Sequence, residues 1–145
     1  MTGKPIAVAS DHAGFALKAL LIDELKASGH GVSDLGTYEG QTSVDYPDYG
    51  AAVAETINRG ESDIGLLICG TGIGISIAAN RHRGIRAALC HDSTTAKLCR
   101  EHNDANVLVL GARMIGTEVA KDCLQAFLET DFGGDRHIRR VEKLG

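Results

Sequence analysis

Tryptophan is absent from the 145 residues, and phenylalanine occurs only three times. Few rings are therefore offered on which a single-stranded nucleic acid could stack its bases. No run of Lys and Arg precedes the last ten residues, and the net charge is -4, so a phosphate backbone is not expected as the main partner. A small anion remains within reach, because it needs only two or three cations. No apolar run approaches the roughly 18 residues that mark a membrane helix. Met1 to Ser10 lacks the charged-then-apolar order of an export signal. The four cysteines (Cys69, Cys90, Cys99 and Cys123) contain no CxxC pair. Zinc is therefore not expected, and the thiols read as reduced ones in a cytoplasmic protein.

What is present is an ordinary globular balance, 43 % apolar and 23 % charged. A chain of this length buries roughly two-thirds of its unfolded surface, enough for one domain without a staple. No repeat, low-complexity stretch or linker divides it, so residues 1–145 are expected to form one domain.

Short apolar runs alternate with segments of helical period. Pro5 to Ala9 reads as a strand, and Leu17, Leu20, Leu21, Ile22 and Leu25 recur as one face of a helix that stops at Gly29. Val32 to Leu35 is a second strand. A loop over 36–47 ends at Pro47, which opens a helix reaching about Gly60. Ile64 to Cys69 is continuously apolar, as a central strand covered on both faces would be. A helix over 73–80 follows, then a strand over 85–89 and a helix over 93–102 capped by Asp92 or Ser93. Val107 to Leu110 is a fifth strand. The helix from Gly116 to Glu129 should bury Val119, Cys123, Leu124, Phe127 and Leu128, and the tail beyond Gly134 is basic and short. Five strands with helical crossovers imply an α/β fold, a parallel sheet with helices on both faces.

Ligands of such sheets sit at the carboxyl ends of the strands. That rule selects Ser10-Asp11-His12, Cys69 to Gly74, Cys90-His91-Asp92 and Gly111-Ala112-Arg113. Gly70, Gly72 and Gly74 alternate just before a helix, where peptide N–H groups and the helix dipole favour an anion. The dinucleotide fingerprint fails, because its third position falls on Ile75 or Ile77, and no Gly-Lys-Ser/Thr follows. The glycines could cradle a phosphate, hold an oxyanion that develops in a reaction, or simply make a tight turn. Cys69 faces the positive end of the helix, a setting that favours a thiolate. Such a thiolate can act as nucleophile or as base, with His12, His91 or His102 as partner. A nucleotide-binding module and a cysteine hydrolase are thus the competing readings beside a proton-transfer enzyme.

Longer motifs narrow the choice. Ser10-Asp11-His12-Ala13-Gly14, Asp45-Tyr46-Pro47, the run from Cys69 to Asn80, Gly84-Ile85-Arg86-Ala87, His102 to Asn106, Gly111-Ala112-Arg113 and Arg136 to Glu142 occur in this order. Together they resemble the type B ribose-5-phosphate isomerases, a family that also holds the galactose-6-phosphate isomerase subunits. The resemblance implies a three-layer α/β/α sandwich with a five-stranded, Rossmann-like sheet, no cofactor or metal, and a homodimer or dimer of dimers with shared active sites. It also implies the aldose–ketose isomerisation of ribose 5-phosphate and ribulose 5-phosphate through a cis-enediolate, a step of the non-oxidative pentose phosphate pathway. A six-carbon or four-carbon sugar phosphate is the alternative, with the 36–47 loop setting length.

Carried over residue by residue, Cys69 is the base, the backbone of Gly70, Gly72, Ile73 and Gly74 holds the enediolate oxygen, and Thr71 assists. His102 is the ring-opening acid and Asn103 binds sugar hydroxyls. Asp11 and His12 contact sugar and phosphate, while Arg113, Arg136 and Arg140 clamp the phosphate. Tyr46 either lines the site or packs its loop. Ile75 stands where some relatives carry glutamate, which sets this chain in the cysteine branch. Because His102 ends a helix, it should lie near the opposite edge of its own subunit and serve a neighbour's site. Cys90, Cys99 and Cys123 read as structural, as do Arg81, His82 and His91, and His137 carries no assignment.

Overall fold

The computed structural model describes residues 3–145. The chain runs β1 (Ile6–Ser10), α1 (Phe15–Ala27), β2 (Val32–Asp34), α2 (Tyr46–Asn58), β3 (Gly65–Cys69) and α3 (Ile73–Asn80). It continues through β4 (Ala87–Leu89), α4 (Ser93–Asn103), β5 (Val107–Gly111), α5 (Thr117–Glu129) and α6 (Arg136–Glu142). All four strand pairings are parallel, and the order across the sheet is β2-β1-β3-β5-β4.

Alternation along the strands divides the core in two. Ile6, Val8, Leu66, Ile68, Leu108 and Leu110 face one way and pack with Leu21 and Leu25 of α1, Ala96 and Cys99 of α4, and Cys123 and Phe127 of α5. Ala7, Ala9, Leu67, Val107 and Val109 face the other way, against Val53 and Ala54 of α2 and Ile75 and Ala79 of α3. Small residues on the second face let α2 come close to the sheet. A Cβ on Gly65 would stand 2.4 Å from Val53 Cγ1. The three layers expected from the alternating pattern are therefore observed.

Three details differ from the sequence reading. Val119 is exposed on α5, and Ala120 takes the buried place in step with Cys123, Leu124 and Phe127, while Leu128 is half-buried. The apolar stripe simply starts one residue later than its first β-branched member. The fourth strand begins at Ala87 rather than Ile85, because side-chain amides take over the backbone groups ahead of the ladder. Asn106 Oδ1 accepts from the Arg86 N–H at 2.8 Å, and Asn80 both accepts from the Ala87 N–H at 2.8 Å and donates to the Ala87 carbonyl at 2.9 Å. Lys18, one turn into α1, is buried in line with Leu21, Ile22 and Leu25 on the apolar face. Its Nζ meets Asp34 Oδ1 at 2.5 Å and lies 5.5 Å and 5.7 Å from the ring centres of Phe15 and Tyr38. The bridge ties α1 to the end of β2, from which the 36–47 loop departs.

The first crossover is equally constrained. Gly14 caps α1, and a Cβ there would lie 2.7 Å from the Ile68 carbonyl oxygen in β3. That neighbour is backbone of the central strand and cannot step aside. Gly14→Ala is expected to cost about 2 kcal/mol of stability. Urea unfolding should show it as a lower midpoint with an unchanged slope.

Candidate functional site

The carboxyl ends of β1, β3 and β5 bring Asp11, Cys69 and Arg113 to one side of the molecule. Cys69 ends β3 opposite Gly111 of β5 and is buried. Its Sγ accepts a hydrogen bond from the Gly72 N–H at 3.1 Å, so the sulfur already faces a donor suited to negative charge. Gly72 holds φ +79°, a left-handed geometry, and a Cβ on it would stand 2.4 Å from Leu89 Cδ1 and 3.1 Å from the Leu110 carbonyl carbon. Only glycine fits this turn. Because Gly72 is also the cap of α3, no side chain of the cap residue competes for the helix N-terminus. The Thr71 hydroxyl accepts from the Ile73 N–H at 3.2 Å and so stands beside that terminus.

Two side chains wall the loop. The Arg113 guanidinium overlies Gly70, where a Cβ would be 3.2 Å from Nη1. Its own backbone is fixed by Arg113 N–H to Gly70 carbonyl and Ala112 N–H to Cys69 carbonyl, each at 2.9 Å. Tyr46, first residue of α2, lays its ring against Gly74, where a Cβ would meet ring carbons at 2.5 Å. The tyrosine therefore does pack against the glycine loop. It remains 41 % exposed, which leaves part of it open to a ligand.

Asp11 is buried and bridges the turn before α1, its Oδ1 accepting from the Gly14 N–H at 3.1 Å. It thus caps the turn rather than the first helical residue. His12 Nδ1 accepts from the Val44 N–H at 3.1 Å. A neutral ring that accepts at Nδ1 carries its proton on Nε2, which is free to donate outward. The same contact pins the 36–47 loop over the site. Glu39 organises that loop by accepting from the Thr42 and Gln41 N–H groups at 2.9 Å and 3.0 Å. Those bonds, the Thr42 side chain first among them, hold its carboxyl below the usual range.

The remaining candidates lie elsewhere. Helix α4 returns from the carboxyl end of β4 to the amino end of β5, so His102 and Asn103 sit at the far end of the sheet from Cys69. The intervening strand of five residues corresponds to about 15 Å. Asp104 ends α4 in a left-handed conformation, with its carboxylate held by Arg86 and Arg100. Helix α6 folds back on this end. The Gly133 N–H reaches the Glu101 carbonyl at 3.0 Å, and His137 stacks on His102 with ring centres 4.5 Å apart and planes at 16°. Arg136 and Arg140, four residues apart on α6, are exposed, and neither pairs with a carboxylate among the described residues. Burial first, then the charges of Arg136, His102 and Arg140, hold the His137 pKa below the ordinary imidazole value, against the pull of Asp135. The candidate residues thus fall into two clusters, one at each end of the sheet.

The other three cysteines form part of the α4–α5 core. Cys90 and Cys99 meet at 4.0 Å between sulfurs, and the Cys99 thiol also donates to the Ala96 carbonyl. The hydrogen bond to Cys99, with burial, pushes the Cys90 thiol up, and burial lifts Cys123 to about 11. Cys90 and Cys123 so held stay protonated and act as packing, while the hydrogen bond with Cys90 draws the Cys99 thiol down. Two residues were not foreseen: Lys18, whose position on an apolar helix face was the available signal, and His137, whose partner is 35 positions upstream in sequence.

Known proteins place this arrangement. The family model described as Ribose/Galactose Isomerase matches residues 6–144. Ribose-5-phosphate isomerase B of Escherichia coli is 47% identical over 141 residues, covering 97% of this chain and 94% of that protein. The ribose-5-phosphate isomerase B structure of Clostridium thermocellum superposes with a TM-score of 0.95 at 51% identity, covering 97% of this chain and 95% of that one. The Mycoplasma genitalium enzyme, solved with ribulose-5-phosphate bound, gives a TM-score of 0.94 at 39% identity over 99% of this chain and 95% of its own. Matched by the family model over residues 6–144 and by these relatives over nearly its whole length, the chain belongs to the ribose/galactose isomerase family.

Proposed function

We propose that this chain is one sugar-phosphate isomerase domain that interconverts D-ribose 5-phosphate and D-ribulose 5-phosphate. The observation that carries the reading is the buried Cys69 sulfur set against the glycine turn at the N-terminus of α3, a base beside ready-made donors for an oxyanion. In the forward direction His102 protonates the furanose ring oxygen as the C1–O4 bond breaks, the anomeric hydroxyl gives its proton to solvent, and the free aldehyde results. The Cys69 thiolate then takes the proton from C2, and the electron pair moves to the carbonyl oxygen to give the cis-enediolate. Backbone N–H groups of Gly70, Gly72, Ile73 and Gly74 receive the negative oxygen with Thr71 beside them, those of Gly72 and Ile73 turning to it from Cys69 Sγ and Thr71 Oγ1. Each such donor contributes about 3–4 kcal/mol at the transition state. A proton passes from O2 to O1, and return of the proton from Cys69 to C1 as the C2 carbonyl forms yields the ketose, so no redox partner is needed.

Asp11, His12, Tyr46 and Asn103 bind the sugar, and Arg113, Arg136 and Arg140 hold the phosphate. Since these groups lie at two ends of one sheet, we infer that two copies face each other, as a homodimer or a dimer of dimers. The Cys69 end of one copy then meets the His102 end of the other. Exposed apolar residues support such an assembly. Ile73 and Ile77, one turn apart on α3 beside the glycine loop, are 55% and 53% exposed. No helix among the described residues is long and apolar enough to cross a membrane. A cytoplasmic setting suits the four free thiols and a phosphorylated substrate.

Cys69→Ala is expected to lower kcat by about 10³-fold while ribose 5-phosphate still binds. Steady-state kinetics with calorimetric binding tests this, and retained turnover would remove Cys69 from the role of base. Arg136→Ala should raise KM by roughly tenfold, the loss of one charged hydrogen bond. Saturation curves for ribose 5-phosphate check it. Sharing of sites has its own test. Cys69→Ala and His102→Asn chains, unfolded and refolded together in equal amounts, should recover about a quarter of wild-type activity, because half the dimers are mixed and each carries one intact site. No recovery would show that each site is built from one chain.

A further inference from the structure

Helix α6 has no buried residue. Its half-buried positions are His137 and Val141, one turn apart, so this edge alone faces α4. What the edge meets there is the imidazole of His102, face to face at 4.5 Å and 16°. His102 occupies the last turn of α4, and its ring is otherwise half-open to solvent. The backbone on both sides of the contact is fixed. Arg100 reaches the Thr130 carbonyl at 3.1 Å, the Gly133 N–H reaches the Glu101 carbonyl, and Asp104 locks the end of α4. Two rigid helix ends thus press the rings together, and rotation of the His102 ring about its Cβ–Cγ bond is opposed by the flat face of His137.

We propose that His137 is a positioning residue for His102: its ring is the platform that keeps the imidazole turned toward the furanose oxygen. The proposal rests on the reading of His102 as the ring-opening acid. Arg136 and Arg140 leave α6 on another edge, so the platform and the phosphate clamp are separate functions of one short helix.

Substrate chemistry separates the two. Ribose 5-phosphate is a furanose that must be opened. Ribulose 5-phosphate has its 5-hydroxyl blocked and stays open, so exchange of its C1 proton needs Cys69 and the phosphate clamp but no ring opening. The experiment compares His137→Ala, His137→Phe and His102→Ala with wild type on two readouts: kcat for ribose 5-phosphate, and deuterium uptake at C1 of ribulose 5-phosphate in heavy water followed by NMR.

His137→Ala is expected to lose about tenfold to hundredfold in kcat, the cost of a misplaced catalytic group, with C1 exchange within about twofold of wild type. His137→Phe, which keeps a flat ring, should regain most of the loss. Exchange falling in step with turnover in His137→Ala would overturn the proposal, since the residue would then serve the phosphate or the fold. So would a His137→Phe enzyme as slow as His137→Ala. If His102→Ala turns over ribose 5-phosphate at the wild-type rate, the ring-opening role of His102 itself is wrong, and the platform has nothing to serve.

Discussion

The turn that follows β3 and the end of β5 pass so near each other that neither can carry a Cβ. On Gly72 it would meet Leu89 and the Leu110 carbonyl carbon, and on Gly111 it would stand 2.5 Å from the Thr71 carbonyl oxygen. This mutual approach is what brings the Gly72 N–H onto Cys69 Sγ and opens the start of α3 toward the ligand side. It also delivers Arg113 over Gly70, because the residues after β5 hydrogen-bond back to Cys69 and Gly70. The positions of Cys69, the N–H groups of the glycine turn and Arg113 are therefore consequences of a single steric fit between neighbouring strands.

The sheet was legible because parallel strands are buried on both faces and read as unbroken apolar runs, and Ile64 to Cys69 is the clearest of them. The helix ends were legible where their chemistry is local: Asp92 caps α4 through the Thr95 N–H at 2.7 Å, as its position suggested. What escaped depended on distant partners. Lys18 looked like an ordinary charge within an apolar helix, and only Asp34, Phe15 and Tyr38 make its burial tolerable. Val119 seemed a core residue because it is β-branched and one step from the stripe, yet helical phase is set by the strongest contacts, Cys123 and Phe127.

The site shows the same division. Strand-end geometry alone selected Asp11, Cys69 and Arg113, since any doubly wound sheet presents those positions together. His102, Asn103 and the two arginines of α6 carry no such signal. Their positions follow from the length of α4, which is enough to run back along the sheet, and their assignment came from motif resemblance. The stacking of His137 on His102 could not be read at all, because aromatic contacts across 35 residues leave no periodicity behind.

The edge strand β4 bears on how copies can join. Asn80 occupies both the N–H and the carbonyl that Ala87 turns outward, imitating with one side chain the backbone of an absent neighbour. Lateral growth of the sheet is thereby blocked at that residue, and an open row of backbone groups of the kind that recruits a foreign strand is avoided. A residue at the end of α3 therefore guards one edge of the sheet, while the start of the same helix borders the glycine turn.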